Sequence, residues 1–281
     1  MSYNKRLSFE FFPPKTEQGM VKLTETRDAL GQLRPAFFSV TYGAGGSTRD
    51  TTRSAVMDIH CGGYEVAPHL SFGGDGEATV LSLLEDYRQR GIRRIVALRG
   101  DLPSGMGMAR PVYASELVRF IRQHTGEHFQ IEVAAYPEVH PEANSYDEDV
   151  NYLKQKLDAG ANSALTQYFY DADAYSWFLE KCHRTGIEVP IYPGIMPITN
   201  YQNLARFSAR CGASIPRWVA KQLESYGEQQ NDVIDFGIDL VSRLCEKLLA
   251  AGAPGLHFYT MNQAEPTLSI CSNIGIRPEA T

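Results

Sequence analysis

Eight short runs of strand-forming residues recur along the chain, and the segments between them are long enough to be helices. The runs cover residues 7–11, 37–43, 65–72, 94–99, 130–136, 164–170, 189–195 and 255–260. They are rich in Val, Ile, Phe and Tyr, whose branched and aromatic side chains suit a pleated, buried surface. Between them the apolar period lengthens. In 78–90, Val80, Leu81, Leu84 and Tyr87 form one stripe while Glu85, Arg88 and Gln89 lie off it. Gly91 then follows where a helix needs a residue tolerant of left-handed backbone. Segment 114–124 repeats the pattern with Leu117, Val118, Phe120 and Ile121; 147–158 leads to Gly160 and 172–184 to Gly186. Strand alternating with helix eight times predicts an α/β fold closed as a (β/α)₈ TIM barrel. A doubly wound parallel sheet is the competing architecture. Before the last run lie two helical segments, 215–226 and 232–251, where one would do. They predict an extra helical insertion packed outside the barrel.

The length of 281 residues accommodates one such barrel, and no low-complexity stretch or linker divides it. Residues 1–281 are therefore read as a single catalytic domain. Hydrophobic content of 43% supplies a core, and a net charge of −6 offers no basic face for nucleic acid or an anionic membrane. The five cysteines are odd in number and form no CxxC, which argues against a disulfide framework or a zinc site and for a reducing, cytoplasmic setting. The first residues lack the apolar core of a leader, and no apolar run approaches the roughly 18 residues of a membrane helix.

In a barrel of this kind the chemistry gathers at the C-terminal ends of the strands. Glu10 alternates with Phe9 and Phe11, so it points to the opposite face. It is either a partner in an ion pair inside the barrel or an acid whose pKa an apolar setting raises toward neutrality. The glycine-rich stretch from Gly43 to Thr48 either cradles a phosphate or makes a tight turn; it has neither the Rossmann nor the P-loop pattern. Arg99 and Asp101 follow the fourth run and either meet a polar ligand or pair with each other. Tyr136, Glu138, His140 and Glu142 follow the fifth, with prolines that spoil helical metal-ligand spacing, so no metal centre is expected. Gln167 on the sixth run can both donate and accept, as a pterin or amide edge requires. No GxSxG is present, no lysine lies within the sixth run, and no cysteine stands at a strand end.

The segments FEFFPPK, SVTYGAGGSTRD, APHL, IVALRGD, AAYPEVHPEA, DAGA with TQYFYD, PGIMPITN and HFYTMN occur in this order across nearly the whole chain. Together they resemble the methylenetetrahydrofolate reductase family, in its short bacterial form without the C-terminal regulatory domain of eukaryotic members. The resemblance implies a barrel holding FAD, reduced by NADH or NADPH in one half-reaction. In the other half, 5,10-methylenetetrahydrofolate replaces the dinucleotide and leaves as 5-methyltetrahydrofolate. It implies a homo-oligomer acting on small molecules. It makes Glu10 the acid that protonates folate N10, and Asp101 a folate contact whose charge favours the cationic intermediate. Gln167 contacts both nicotinamide and folate, and Phe207 stacks on the dinucleotide. Thr41 lies on the nicotinamide side. The remaining FAD contacts it implies are Tyr42, Ala44, His69, Arg99, Gly100, Asp101, Ala114, Tyr136, His140, Ala143, Asp149 and Lys156.

Four positions depart from the family's pattern. Gln263 stands where arginine is expected to hold the folate tail, and Asn203 replaces a substrate-contacting glutamine. Tyr152 stands in place of asparagine and Gln155 in place of arginine on the adenosine side. These changes predict altered affinity with unaltered chemistry. The nearest alternative is another flavin barrel oxidoreductase, similar to proline dehydrogenase; a non-catalytic flavin- or folate-binding barrel is the second.

Overall fold

Along β1 (Arg6–Phe11), Leu7, Phe9 and Phe11 pack into the shell between barrel and helices, while Ser8 and Glu10 face the axis. The same division recurs in β2 (Phe37–Val40), β3 (Val66–Leu70), β4 (Arg94–Ala97), β5 (Gln130–Ala135), β6 (Ser163–Tyr168), β7 (Ile191–Ile195) and β8 (Gly255–Tyr259). Every strand lies parallel to the next. β8 returns to β1 with Gly255 opposite Arg6 and Tyr259 opposite Glu10, closing the predicted barrel. The computed structural model describes residues 5–43, 48–72, 76–100 and 112–278.

Among the described residues ten helices surround the strands: α1 (Glu17–Gly31), α2 (Arg49–Cys61), α3 (Glu77–Gln89), α4 (Ala114–Thr125), α5 (Tyr146–Asp158), α6 (Ala172–Arg184), α7 (Tyr201–Cys211), α8 (Arg217–Ser225), α9 (Gln230–Ala250) and α10 (Glu265–Asn273). None is long and apolar enough to cross a membrane. Local chemistry sets their starts. Ser145 accepts a hydrogen bond from Glu148 N and Asn200 accepts one from Asn203 N, as N-caps do. The insertion before β8 is larger than the sequence indicates. α9 packs on β7, α6 and α10 as the seventh unit's barrel helix, so α7 and α8 are the additional pair. α7 is hard to see in sequence because only Leu204 and Ser208 on it are fully buried.

The strands also end earlier than the apolar runs do: β2 stops at Val40, β3 at Leu70 and β4 at Ala97. Thr41 and Leu98 each donate one more backbone hydrogen bond to the neighbouring strand, to Phe11 O and Leu70 O at 2.9 Å, and the residues after them turn to line the mouth. At the opposite end the axis is blocked. Glu132, with no exposed side-chain surface, pairs with Arg6 and with Arg94 (2.5 Å) and accepts a hydrogen bond from Ser163. Both guanidiniums lie over the Phe37 ring, and Arg6 also lies over Tyr192. Above this charged floor Phe37, Ala67, Val96, Leu165 and Tyr192 fill the barrel interior.

Candidate active site

Glu10 ends the inward row of β1, with its side chain 16% exposed. Its Oε2 lies 3.2 Å from His69 Nε2 on β3 and 3.5 Å from His257 Nε2 on β8. The His69 approach is close, yet its Nε2 is out of line for a hydrogen bond. His257 is fully buried, and its Nδ1 lies 2.8 Å from Ser8 Oγ, which fixes the ring. Burial alone pushes the Glu10 pKa up, as expected for a carboxylate in an apolar barrel. The two imidazoles outweigh it, His69 most strongly, and hold Glu10 down at about 2. The expectation of a raised pKa is thus corrected. Both readings of Glu10 meet in one arrangement, because the carboxylate faces the mouth and also lies against two imidazoles.

The backbone around Glu10 is fixed from the neighbouring strand. Thr260 Oγ1 donates to Glu10 O at 2.7 Å. Asn262 brackets Phe12, accepting from its N at 3.0 Å and donating to its O at 2.9 Å. Met261 and Asn262 both adopt positive φ to make that turn. Tyr259 reaches across the mouth and donates to Thr166 O at 2.6 Å. Its ring passes over Gly194, where a Cβ would meet the ring at 2.6 Å and Thr166 O at 2.1 Å. Only glycine admits this crossing.

At the ends of β2 to β5 opens a cavity of about 540 Å³, within the range of ligand-binding clefts. It brings together Tyr42, Arg99, Gly100, Ala114, Tyr136, His140, Ala143, Asp149 and Lys156 from the expected cofactor contacts. Gly100 takes a φ of +77°, which lets the chain turn along the cavity wall. Arg99 pairs with Glu142, its Nη2 lying 2.8 Å from Oε1. Lys156 places Nζ 2.5 Å from Ala134 O; burial lowers its pKa to about 8, with Asp149 opposing. Burial also raises Asp149, whose carboxylate accepts from His140 N at 2.9 Å. His140 Nδ1 accepts from Glu142 N at 3.1 Å, leaving Nε2 as the protonated nitrogen in the neutral ring. Burial lowers the His140 pKa, favouring that neutral form.

Other expected residues stand outside the cavity wall. His69 serves Glu10, and Thr41 leaves β2 with its carbonyl held by Thr52 Oγ1 at 2.9 Å. Gln167 borders a small recess shared with Tyr136, Tyr168 and Cys211, and its Oε1 accepts from Tyr168 N. Phe207 is half-buried on α7 beneath Arg206, whose guanidinium lies 5.7 Å from the ring centre. Asn203 is exposed near the start of α7 and accepts from Arg206 at 3.0 Å. Gln263 is exposed beyond β8. Ala44 and Asp101 lie outside the described residues. Among the described residues, no three His, Cys, Asp or Glu side chains are placed to hold a metal ion.

The sequence reading missed His257 and Ser8. Their signal was available in the β1 and β8 patterns: Ser8 and Glu10 alternate inward, as do His257 and Tyr259, and the register sets Ser8 against His257.

Comparison with known proteins bears on this geometry. The sequence profile of the family described as Methylenetetrahydrofolate reductase matches residues 2–275. The chain is 41% identical over 273 residues to 5,10-methylenetetrahydrofolate reductase of Escherichia coli (strain K12), covering 97% of this chain and 91% of that protein. It is 39% identical over 290 residues to Methylenetetrahydrofolate reductase (NADH) 1 of Arabidopsis thaliana, covering 97% of this chain and 49% of that protein. Among solved structures, an uncharacterized protein from Clostridium thermocellum, described as binding two copies of 5-methyl-5,6,7,8-tetrahydrofolic acid, superposes with a TM-score of 0.66. That match is at 18% identity over 98% of this chain and 94% of the other, and so speaks for the fold alone.

Proposed function

Because the chain belongs to the methylenetetrahydrofolate reductase family, we propose that it reduces 5,10-methylenetetrahydrofolate to 5-methyltetrahydrofolate. In this reading it uses bound FAD and NAD(P)H in a ping-pong cycle. The observation that carries the reading is Glu10, a carboxylate set between two imidazoles in a barrel whose strands β2 to β5 end on a cavity of cofactor size. A flavin dinucleotide suits the residues present. The buried ammonium of Lys156 has a carbonyl and the partly protonation-prone Asp149 for company, so a diphosphate would relieve its desolvation. Arg99 would exchange Glu142 for the same anion. FAD, when bound, supplies the two-electron step, taking hydride from the donor and passing it to the folate. The name of the Arabidopsis relative specifies NADH, which supports NADH as the donor.

The residues of this chain handle the proton. The one-carbon bridge of the substrate joins N5 and N10, and hydride can add only when the bond to N10 opens. That bond's electron pair goes to N10, which requires a proton. Glu10 gives it, the resulting cation at N5 and the bridge carbon accepts hydride, and one proton and one hydride have been consumed. The flanking imidazoles lower the Glu10 pKa, which favours the carboxylate over the acid at neutral pH. Glu10 must therefore receive its proton from a flanking imidazole as substrate covers the mouth. Loss of water favours the neutral carboxyl–imidazole pair over the ion pair. Ser8 keeps His257 oriented for this transfer. Gln167, Thr41 and Phe207 are proposed to position nicotinamide and pterin in turn, with Asp101 beside the cation. Asn203 and Gln263 are proposed for the folate tail.

The test is anaerobic. NADH or NADPH should bleach the flavin absorbance of the purified protein, and methylenetetrahydrofolate should restore it. A protein that takes up no FAD, or a reduced flavin that this folate does not reoxidise, would overturn the reading.

A further inference from the structure

Of Tyr136, Glu138, His140 and Glu142, which follow β5, the proposed chemistry uses all but Glu138. Tyr136 and His140 line the large cavity, and Glu142 pairs with Arg99. Glu138 faces the other way and borders the small recess with Gln167 and Cys211, while Tyr136 borders both spaces. Val139 makes the division. Its φ of +74° is a left-handed setting that β-branched residues avoid, and it turns the chain between Glu138 and His140.

Glu138 reaches a point 76 residues along the chain. Its Oε2 accepts a hydrogen bond from Ser214 N at 2.8 Å, just past the end of α7. Beside this bond Gly212, with a φ of +76°, comes so close to the same loop that a Cβ there would meet Pro141 Cγ at 2.8 Å. Glu138 is half-buried and gives up water for its one distant partner. Burial raises its pKa, with the Ser214 bond opposing the rise and Asp171 adding to it. The position therefore calls for an acceptor more than for a charge.

α7 is a helix that depends on such a tether. Only Leu204 and Ser208 on it are fully buried, so apolar packing sets its place weakly. Ser208 Oγ lies 3.0 Å from Tyr168 Oη, which holds the inner face of the helix to β6. Asn203, Phe207 and Cys211 recur every fourth residue and so share a face. Cys211 puts that face on the recess that Gln167 and Glu138 also border.

We propose that Glu138 is a positioning residue for the substrate side of the mouth. It latches the end of α7 to the loop after β5 and so fixes where Phe207 and Asn203 stand relative to Gln167. This role rests on the substrate contacts proposed for those three side chains. A helix that its ligand must first re-seat binds that ligand more weakly, because ordering the helix is charged against binding. Once the ligand is seated the chemical step is little changed, so the loss falls on KM.

Two measurements on the full-length protein test the latch: amide hydrogen exchange along α7, and steady-state kinetics with NADH and methylenetetrahydrofolate. Glu138→Ala leaves Ser214 N without its acceptor. It should speed exchange of the α7 amides and raise both KM values, each by about tenfold, with kcat changing far less. Glu138→Gln keeps an acceptor for Ser214 N and should return exchange and KM to near wild type. Flavin affinity should hold in both variants, because His140 on the cavity side keeps its own bond to Asp149. Unchanged α7 exchange in Glu138→Ala, equal defects in the Ala and Gln variants, a loss confined to kcat, or a parallel loss of flavin affinity would overturn the latch. If the wild type does not reduce this folate, the proposed function fails on its own account. The exchange of α7 then decides the latch: it stands if Glu138→Ala loosens the helix and Glu138→Gln does not, and falls otherwise.

Discussion

At the scale of single residues, the chemistry turns on two groups whose burial and neighbours pull in known directions. Glu10 sits where burial favours the neutral acid and two imidazoles favour the anion, and the imidazoles win. Glu10→Gln keeps the shape and removes the exchangeable proton. It should leave flavin reduction by NADH near the wild-type rate and slow reoxidation by methylenetetrahydrofolate by about 10²–10⁴-fold. Stopped-flow absorbance of the two half-reactions measures both, and equal slowing of both would remove Glu10 from the proton path. Lys156 is the second group. Its folded pKa of about 8 lies below the ordinary lysine value of 10.5, so between those values the unfolded chain holds more protons. Burying this ammonium therefore costs stability below pH 8, and stability from this group rises as pH climbs from 8 toward 10.5. A bound diphosphate favours the charged form, so FAD affinity should be greatest below pH 8 and decline above it. Titrations across this range, with Lys156→Gln as the flat control, check the sign. The place of Glu10 was legible in its alternation with Phe9 and Phe11. Its ionisation was not, because that depends on His69 and His257, residues 59 and 247 positions away that only barrel closure brings near.

At the scale of elements, strand identity was legible and strand ends were not. An apolar run does not announce where hydrogen bonding to its neighbour stops, and the residues just past that point are those that line the mouth. Thr41, Tyr42, Leu98 and Arg99 all continue strand-like runs yet lie beyond β2 and β4. α7 was missed for the opposite reason: its apolar stripe is too narrow to stand out, although Asn200 caps it and Gly212 ends it. β7 carries the tightest element-level constraint at the site. Gly194→Ala would drive a methyl group into Thr166 O and the Tyr259 ring. The variant should lose about 1–3 kcal/mol of stability, read as a lower urea midpoint. It should also displace Tyr259 from its bond to Thr166, and an unchanged midpoint would show that β6 and β7 part more easily than their packing implies.

At the scale of the whole molecule, the barrel was legible because eight repeats leave few ways to bury so many two-faced elements. Its charged floor was not, because Arg6, Arg94 and Glu132 are far apart in the chain and each by itself reads as a surface residue. Removing the acid should be costly. Glu132→Ala leaves two guanidiniums facing each other in a site with little water, and the expected loss is about 3–5 kcal/mol. Denaturant unfolding measures it, and a loss below 1 kcal/mol would mean that the arginines swing out to solvent. The floor also governs traffic. A tube stoppered at one end has a single doorway, and everything that reaches Glu10 must back out the way it came. In the proposed cycle the spent donor is then in the way of the folate, and the methylated product is in the way of the next donor. Crowding by either reactant should stall the queue, so excess of one will slow turnover and excess of the other will relieve it.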